Sequence, residues 1–222
     1  MERGVIFDMD GVLVDSYQAH WESWRLTAEE IGQSLSEQQF AATFGRTSRE
    51  IIAAHWGAGL LSATEILAFD ERKEHVYREL VELAFPAMEG AADLIRHLAA
   101  AGFRLAIGSS GPPENVALVI ERLGVGDVLQ TRVTGRDVSR GKPDPEVFLK
   151  AAEKLGLAPA RCAVVEDAPV GITAANAAGM ASIALVSTGH TRESVEHARL
   201  VVMSLRELSP ESITRLIEVG TA

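Results

Sequence analysis

The chain of 222 residues holds a single cysteine, Cys162, so no internal disulfide can form. Cys162 lies in the apolar stretch Cys162-Ala163-Val164-Val165, where a thiol reads as packing rather than chemistry. No apolar run approaches the ~20 residues of a membrane span. The first residues run into the strand-like Val5-Ile6-Phe7 almost at once, and no charged-then-apolar signal peptide fits there. A basic run is missing too. Lys plus Arg number 21 against 31 Asp plus Glu, a formal charge of −10, and phosphate backbones need clustered cations. The expectation is therefore a soluble, cytoplasmic, monomeric protein with no nucleic-acid partner and no membrane contact. Aromatic residues are few, 5% against 47% hydrophobic, which is ordinary for a globular core rich in Ala and Leu.

What is present alternates. Short apolar runs at Val5–Phe7, Phe103–Ile107, Cys162–Val165, Ser182–Val186 and Leu200–Val202, with a weaker one near Val128–Val133, are bounded by Gly, Asp or Ser as buried parallel strands are. Amphipathic stretches at Gly90–Ala101, Pro112–Leu123, Pro145–Leu155 and Val170–Ala178 separate them and imply an α/β, Rossmann-like parallel sheet. Pro112 and Pro145 suit first-turn positions, and Gly102, Gly124, Gly156 and Gly179 suit the residue just past a helix end. Between Asp15 and Pro86 the alternation stops. Ser16–Ile31, Ser36–Thr43, Ser48–Trp56 and Ala63–Leu83 all read as helices. The expected organisation is a discontinuous core of residues 1–14 and 86–222 interrupted by a helical domain of residues 15–85, with Asp15-Ser16 and Phe85-Pro86 as hinges. Trp21, Trp24 and Trp56 are expected to pack the inserted helices together.

Open α/β sheets bind ligands at the carboxyl ends of their strands, so the residues there carry the functional information. After the first strand comes Asp8-Met9-Asp10-Gly11, after Phe103–Ile107 comes Gly108-Ser109-Ser110, and after Cys162–Val165 comes Glu166-Asp167. Gly141-Lys142-Pro143-Asp144 precedes the Pro145 helix. Each feature alone has an ordinary reading. Asp-x-Asp occurs in turns, calcium loops and sugar-nucleotide metal sites; the serines and Glu166-Asp167 could cap helices; Lys142 could be a surface lysine. Together, four carboxylates, a hydroxyl pair and a lysine converge on one sheet edge, and such carboxylates repel without a cation. Magnesium takes one or two carboxylates plus a substrate phosphate. Asp8, Asp167 and the Asp10 carbonyl could supply that set, with Ser109 and Lys142 holding phosphoryl oxygens. One carboxylate could then attack phosphorus and a second move the proton.

In these residues the sequence resembles the haloacid dehalogenase superfamily. Phe7-Asp8-Met9-Asp10-Gly11-Val12-Leu13-Val14-Asp15-Ser16 looks like its first motif and Ile107-Gly108-Ser109-Ser110 like its second. Gly141-Lys142-Pro143-Asp144-Pro145-Glu146-Val147-Phe148 looks like the third, and Val165-Glu166-Asp167 with Gly171 and Ala174-Ala175 like the fourth. The resemblance implies Asp8 as nucleophile, Asp10 as acid and base, and Ser109 and Lys142 as catalytic phosphate binders, with Ser110 beside them on the substrate. It also implies Mg2+ held by Asp8, Asp10 and Asp167, with Glu166 ligating or orienting that shell. The inserted helices would be the family's cap. Within the superfamily the sequence is most similar to the β-phosphoglucomutase-like subfamily, through Asp15-Ser16, His20, Trp24 and the segment Gly45-Arg46-Thr47-Ser48-Arg49-Glu50. That likeness implies His20, Arg49 and Lys73 as cap residues that touch substrate. Each also has a plainer reading: His20 as an interface residue, Arg49 paired to Glu50 or Glu29, and Lys73 solvated.

The expected activity is a magnesium-dependent phosphatase for a small phosphorylated metabolite, a sugar phosphate, working through a phosphoaspartate. The alternative is a sugar phosphomutase of the β-phosphoglucomutase type. A non-catalytic sugar-phosphate sensor leaves a complete set of chemical residues idle. A glycosyltransferase reading of Asp-x-Asp leaves Lys142 and Asp167 unexplained.

Overall fold

The computed structural model describes residues 2–43, 47–187 and 189–219. By its internal contacts the chain falls into two compact units, Met1–Asp15 with Ala87–Ala222, and Ser16–Pro86. Gly45 and Arg46, part of the sugar-phosphate loop resemblance, lie outside the described residues.

The first unit is built on six parallel strands, β1 (Gly4–Phe7), β2 (Arg104–Gly108), β3 (Thr131–Val133), β4 (Cys162–Glu166), β5 (Ala181–Leu185) and β6 (Leu200–Val202). Their spatial order is β3-β2-β1-β4-β5-β6. β1 is central, pairing Phe7 with Ile107 on one side and with Val165 on the other. That register brings the ends of β1, β2 and β4 level, so Asp8, Ser109 and Glu166 leave the sheet side by side. The sheet is the Rossmann-like α/β architecture that the alternation implies. β1, β4 and β5 are buried along their whole length, as strands covered on both faces must be. The expected run near Val128–Val133 yields only the three residues of β3, at the sheet's edge.

Helices α5 (Ala91–Ala100), α6 (Pro113–Leu123), α7 (Glu146–Leu155) and α8 (Pro169–Ala177) fall where the amphipathic stretches place them. Gly124 and Gly156 close α6 and α7 with φ of 64° and 68°, a left-handed conformation that strains any residue with a Cβ. The prolines differ in detail: Pro113 takes the first turn of α6 while Pro112 is its cap, and Pro145 caps α7. The core under β1, β2 and β4 joins Ile6, Ala106, Phe148, Ala152, Cys162 and Val164. Cys162 is buried, as its apolar setting implies.

The second unit holds α1 (Tyr17–Glu30), α2 (Glu37–Thr43), α3 (Ser48–Trp56) and α4 (Ala63–Leu83). Capping boxes start two of them, Thr47 with Glu50 and Ser62 with Glu65, each satisfying orphan backbone donors. Trp24 lies 5.2 Å from Phe69 and 6.3 Å from Trp56, ring centre to ring centre, and Trp21 packs on the same cluster. Trp24 belongs to the buried core of this unit with Leu35, Phe40, Ile51, Ile52 and Phe69, and the partly buried Trp21 and Trp56 pack against it. A last helix of the first unit, α9 (Pro210–Val219), has no counterpart in the elements read from the sequence; it buries Ile213 and Ile217. Among the described residues no helix is long and apolar enough to cross a membrane.

Candidate active site

Asp8 follows β1, and its backbone N–H donates to the Val165 carbonyl at 2.9 Å, which ties the first strand end to the fourth. The next residues fold back at once: Leu13 N–H donates to Met9 O at 2.8 Å and Gly11 N–H to Val14 O at 2.8 Å. Gly11 has φ of 74°, and a Cβ there would collide with the Asp167 carboxylate. The turn that presents Asp8 and Asp10 therefore works only with glycine.

Lys142 joins two carboxylates. Its Nζ lies 2.5 Å from Asp8 Oδ1 and 2.6 Å from Glu166 Oε1, with its side chain 7% exposed. The second oxygen of Glu166 accepts from the backbone N–H groups of Asp167 at 2.8 Å and Ala168 at 2.7 Å. Both oxygens of Glu166 are thus engaged, and a Cβ at Gly171 would fall inside this carboxylate. Glu166 reads as the anchor of Lys142 and of the turn after β4. Asp167 Oδ2 accepts from the Ser187 hydroxyl at 2.7 Å. Ser109 is buried; its N–H donates to Val133 O and its hydroxyl accepts from Gly111 N–H, both at 3.0 Å. Ser110 is exposed next to it. The core residues named from the sequence thus meet at one edge of the sheet.

Oxygen atoms of Asp8, Glu166 and Asp167, all three buried, lie within 4.8 Å of one another. Burial pushes the Asp8 carboxyl up to about 7; Lys142 pulls it down, and Glu166 and Asp10 push it further up. Burial also raises Asp167 well above the usual carboxylate range, reinforced by Glu166 and Asp8. Burial opposes the Lys142 ammonium, but Asp8 and Glu166 more than offset this and raise its pKa. One lysine facing this many carboxylates leaves the cluster short of positive charge. A hard divalent cation fits that donor set. The Asp10 carboxylate stands outside the triple, toward Gly111, where its Oδ2 would be 3.9 Å from an added Cβ.

Two neighbours escape the sequence reading. Ser187, just past β5, orients Asp167. His190 in the same loop is partly buried, and burial lowers its pKa against the pull of Glu166. The rule that located the other groups, inspection of every strand end, locates Ser187 as well once it is applied to β5.

The three residues assigned to the cap lie in the helical unit. His20 on α1 stacks on Tyr77 of α4, with ring centres 4.3 Å apart and planes 18° from parallel. Arg49, in the first turn of α3, is exposed. Glu50 caps that helix through Thr47, and Glu29 pairs with Arg25. Lys73 is 8% exposed, paired with Glu74 and 5.7 Å from the centre of the Trp24 ring. That overturns the solvated reading of Lys73: its ammonium lies over the Trp24 ring and pairs with Glu74.

The sequence profile of the haloacid dehalogenase-like hydrolases matches residues 2–179. The chain is 30% identical over 209 residues to validoxylamine A 7'-phosphate phosphatase of Streptomyces hygroscopicus subsp. limoneus, covering 94% of this chain and 96% of that protein. It is 35% identical over 207 residues to hexitol phosphatase A of Escherichia coli, covering 93% of each. Among solved structures, β-phosphoglucomutase from Clostridium difficile superposes with a TM-score of 0.87 at 26% identity, covering 100% of this chain and 99% of that one.

Proposed function

Because the chain belongs to the haloacid dehalogenase-like hydrolases, we propose that it is a magnesium-dependent phosphatase that cleaves a small sugar or polyol phosphate through a phosphoaspartate at Asp8. The observation that carries this reading is the bridge by Lys142 from Asp8 Oδ1 to Glu166, inside a buried triple of carboxylates. With one oxygen of Asp8 held in this way, the other would meet the substrate. Sequence relatives named as phosphatases of phosphorylated carbohydrate-like compounds support the substrate class.

Asp8, Asp167 and the Asp10 carbonyl would hold the cation, with Glu166 fixing the turn that carries Asp167. A divalent cation there would screen the carboxylates from the incoming phosphoryl oxygens. Asp8 attacks phosphorus and the ester oxygen leaves, taking its proton from Asp10. Asp10 then accepts a proton from water, whose oxygen attacks phosphorus and frees Asp8 with release of inorganic phosphate. Lys142 and Ser109 stabilise the phosphoryl oxygens in both steps. Ser110, His20, Arg49 and Lys73 are assigned to the substrate beyond its reacting phosphate.

A mutase remains the second reading, favoured by the match to β-phosphoglucomutase. The acyl phosphate would then pass to another sugar hydroxyl instead of water, with Arg49 on the distal phosphate. Phosphorus NMR separates the two. With Mg2+ and a panel of phosphate monoesters that includes β-glucose 1-phosphate primed with its 1,6-bisphosphate, a phosphatase gives free phosphate that is lost in Asp8→Asn. Conversion to glucose 6-phosphate without free phosphate would replace the phosphatase reading with the mutase.

A further inference from the structure

Helix α7 carries Glu146, Lys150 and Lys154 four residues apart, on one stripe. Each reaches back to the segment that leads from β3 into the helix. Lys154 Nζ donates to the Arg132 carbonyl at 3.1 Å and Lys150 Nζ to the Asp137 carbonyl at 2.6 Å. Glu146 grips the last part of that segment. It accepts from Ser139 N–H at 3.1 Å on both oxygens, from the Ser139 hydroxyl at 2.8 Å and from Arg140 N–H at 2.9 Å. Lys150 pairs with it at 2.7 Å. The backbone N–H of Glu146 donates to Asp144 Oδ1 at 3.0 Å, and Asp144 N–H donates to Gly141 O at 3.0 Å.

Lys142 sits in the span between these two grips. Gly141-Lys142-Pro143 is fixed on one side where Arg140 N–H meets the Glu146 carboxylate and on the other where Asp144 meets the Glu146 N–H. A lysine side chain has high rotamer entropy, so the placement of its ammonium depends on where its backbone is held. Here that ammonium must meet two carboxylates 2.5 Å and 2.6 Å away. We infer that Glu146 is a positioning residue for Lys142: it touches no reacting atom, and it holds the loop that delivers the lysine to Asp8 and Glu166. The inference rests on the proposed role of Lys142 in catalysis, but its geometry stands apart from turnover.

An acid in a first helical turn also favours the helix dipole, and a purely structural role of that kind predicts a different result. The test is peptide-resolved reductive methylation of the folded full chain, run with kinetics and thermal melting on Glu146→Ala, Glu146→Gln and Lys150→Ala. In the wild type, Lys142 is expected to react far more slowly than Lys150 and Lys154, which are 39% and 45% exposed. In Glu146→Ala, methylation of Lys142 should rise several-fold while Lys73, the one lysine of the helical unit, keeps its rate, and kcat should fall by about 10²-fold, the cost of a displacement near 1 Å. Glu146→Gln keeps an acceptor for both N–H groups and should recover most of both readouts. Lys150→Ala leaves those acceptor bonds intact and should change Lys142 little. The inference is overturned if Lys142 stays shielded in Glu146→Ala, or if all lysines gain reactivity alike as the chain loosens. A wild type without phosphatase or mutase turnover would sink the functional reading while leaving the labelling test intact.

Discussion

Removing divalent cation and raising the pH should destabilise the first unit. A free aspartate loses its proton near 3.8, whereas Asp8 in the fold holds its proton up to about 7, chiefly because it is buried. Between those values the unfolded chain binds fewer protons than the folded one, so stability falls as pH rises. The Asp8 contribution is complete below about pH 4 and gone above about pH 7. About three pH units at 1.36 kcal/mol each makes this on the order of 4 kcal/mol. Asp167 is displaced in the same direction and steepens the fall. Acid stability runs the other way. The Lys150 and Ser139 hydrogen bonds push Glu146 down to about 2, and hydrogen bonds from Thr134 lower Asp137, so both contribute stability that is lost as pH falls. Cation-free protein should therefore be most stable near pH 4–5 and weaken toward pH 8. Mg2+ should offset part of the loss at pH 8, by about 2.7 kcal/mol at a hundred times its Kd, or roughly 5–10 °C in Tm for a chain of this size. Urea titrations from pH 4 to 8, with chelator and with Mg2+, measure both effects, and Asp8→Asn should flatten the alkaline fall. Stability that is level or rising from pH 5 to 8 without cation, and unmoved by Mg2+, would refute the reasoning.

Other expectations follow from single contacts. Gly171→Ala puts a methyl group where the Glu166 carboxylate sits; it should cost about 1–3 kcal/mol by urea unfolding and reduce turnover as the Lys142 anchor shifts. Ser187→Ala removes the donor to Asp167 and should weaken Mg2+ binding about tenfold by calorimetry, while Ser187→Thr retains it. Arg49→Ala should leave simple monoesters largely unaffected and slow turnover of bisphosphorylated sugars; equal loss on both classes would count against a distal-phosphate role.

The sheet and its chemical edge were legible because β1, β2 and β4 are short apolar runs that lead into Asp8, Ser109 and Glu166-Asp167. Asp8, Ser109, Glu166 and Asp167 could be found by that rule alone, and Lys142 by its place ahead of a helix. Trp21, Trp24 and Trp56 were expected to pack the inserted helices, and they do. Other features depend on partners far along the chain. The Ser187 hydroxyl gains meaning only through Asp167, twenty residues earlier, and the strand end that carries it shows no charge to attract notice. The burial of Lys73 depends on Trp24, on another helix. α9 follows the weak edge strand β6, where the alternation has faded, although Ser209 and Pro210 form a fair helix start: the Ser209 hydroxyl accepts from Ser212 N–H at 3.2 Å. The double grip of Glu146 on the Lys142 loop uses backbone donors, which no side-chain pattern displays.

The covalent step is the centre of the account, and rapid acid quench of the enzyme turning over a phosphate-labelled substrate with Mg2+ tests it most directly. Label on the peptide that contains Asp8, absent from Asp8→Asn and chased away by further turnover, is the predicted result. Turnover with no labelled chain, or with label on another residue, would contradict it.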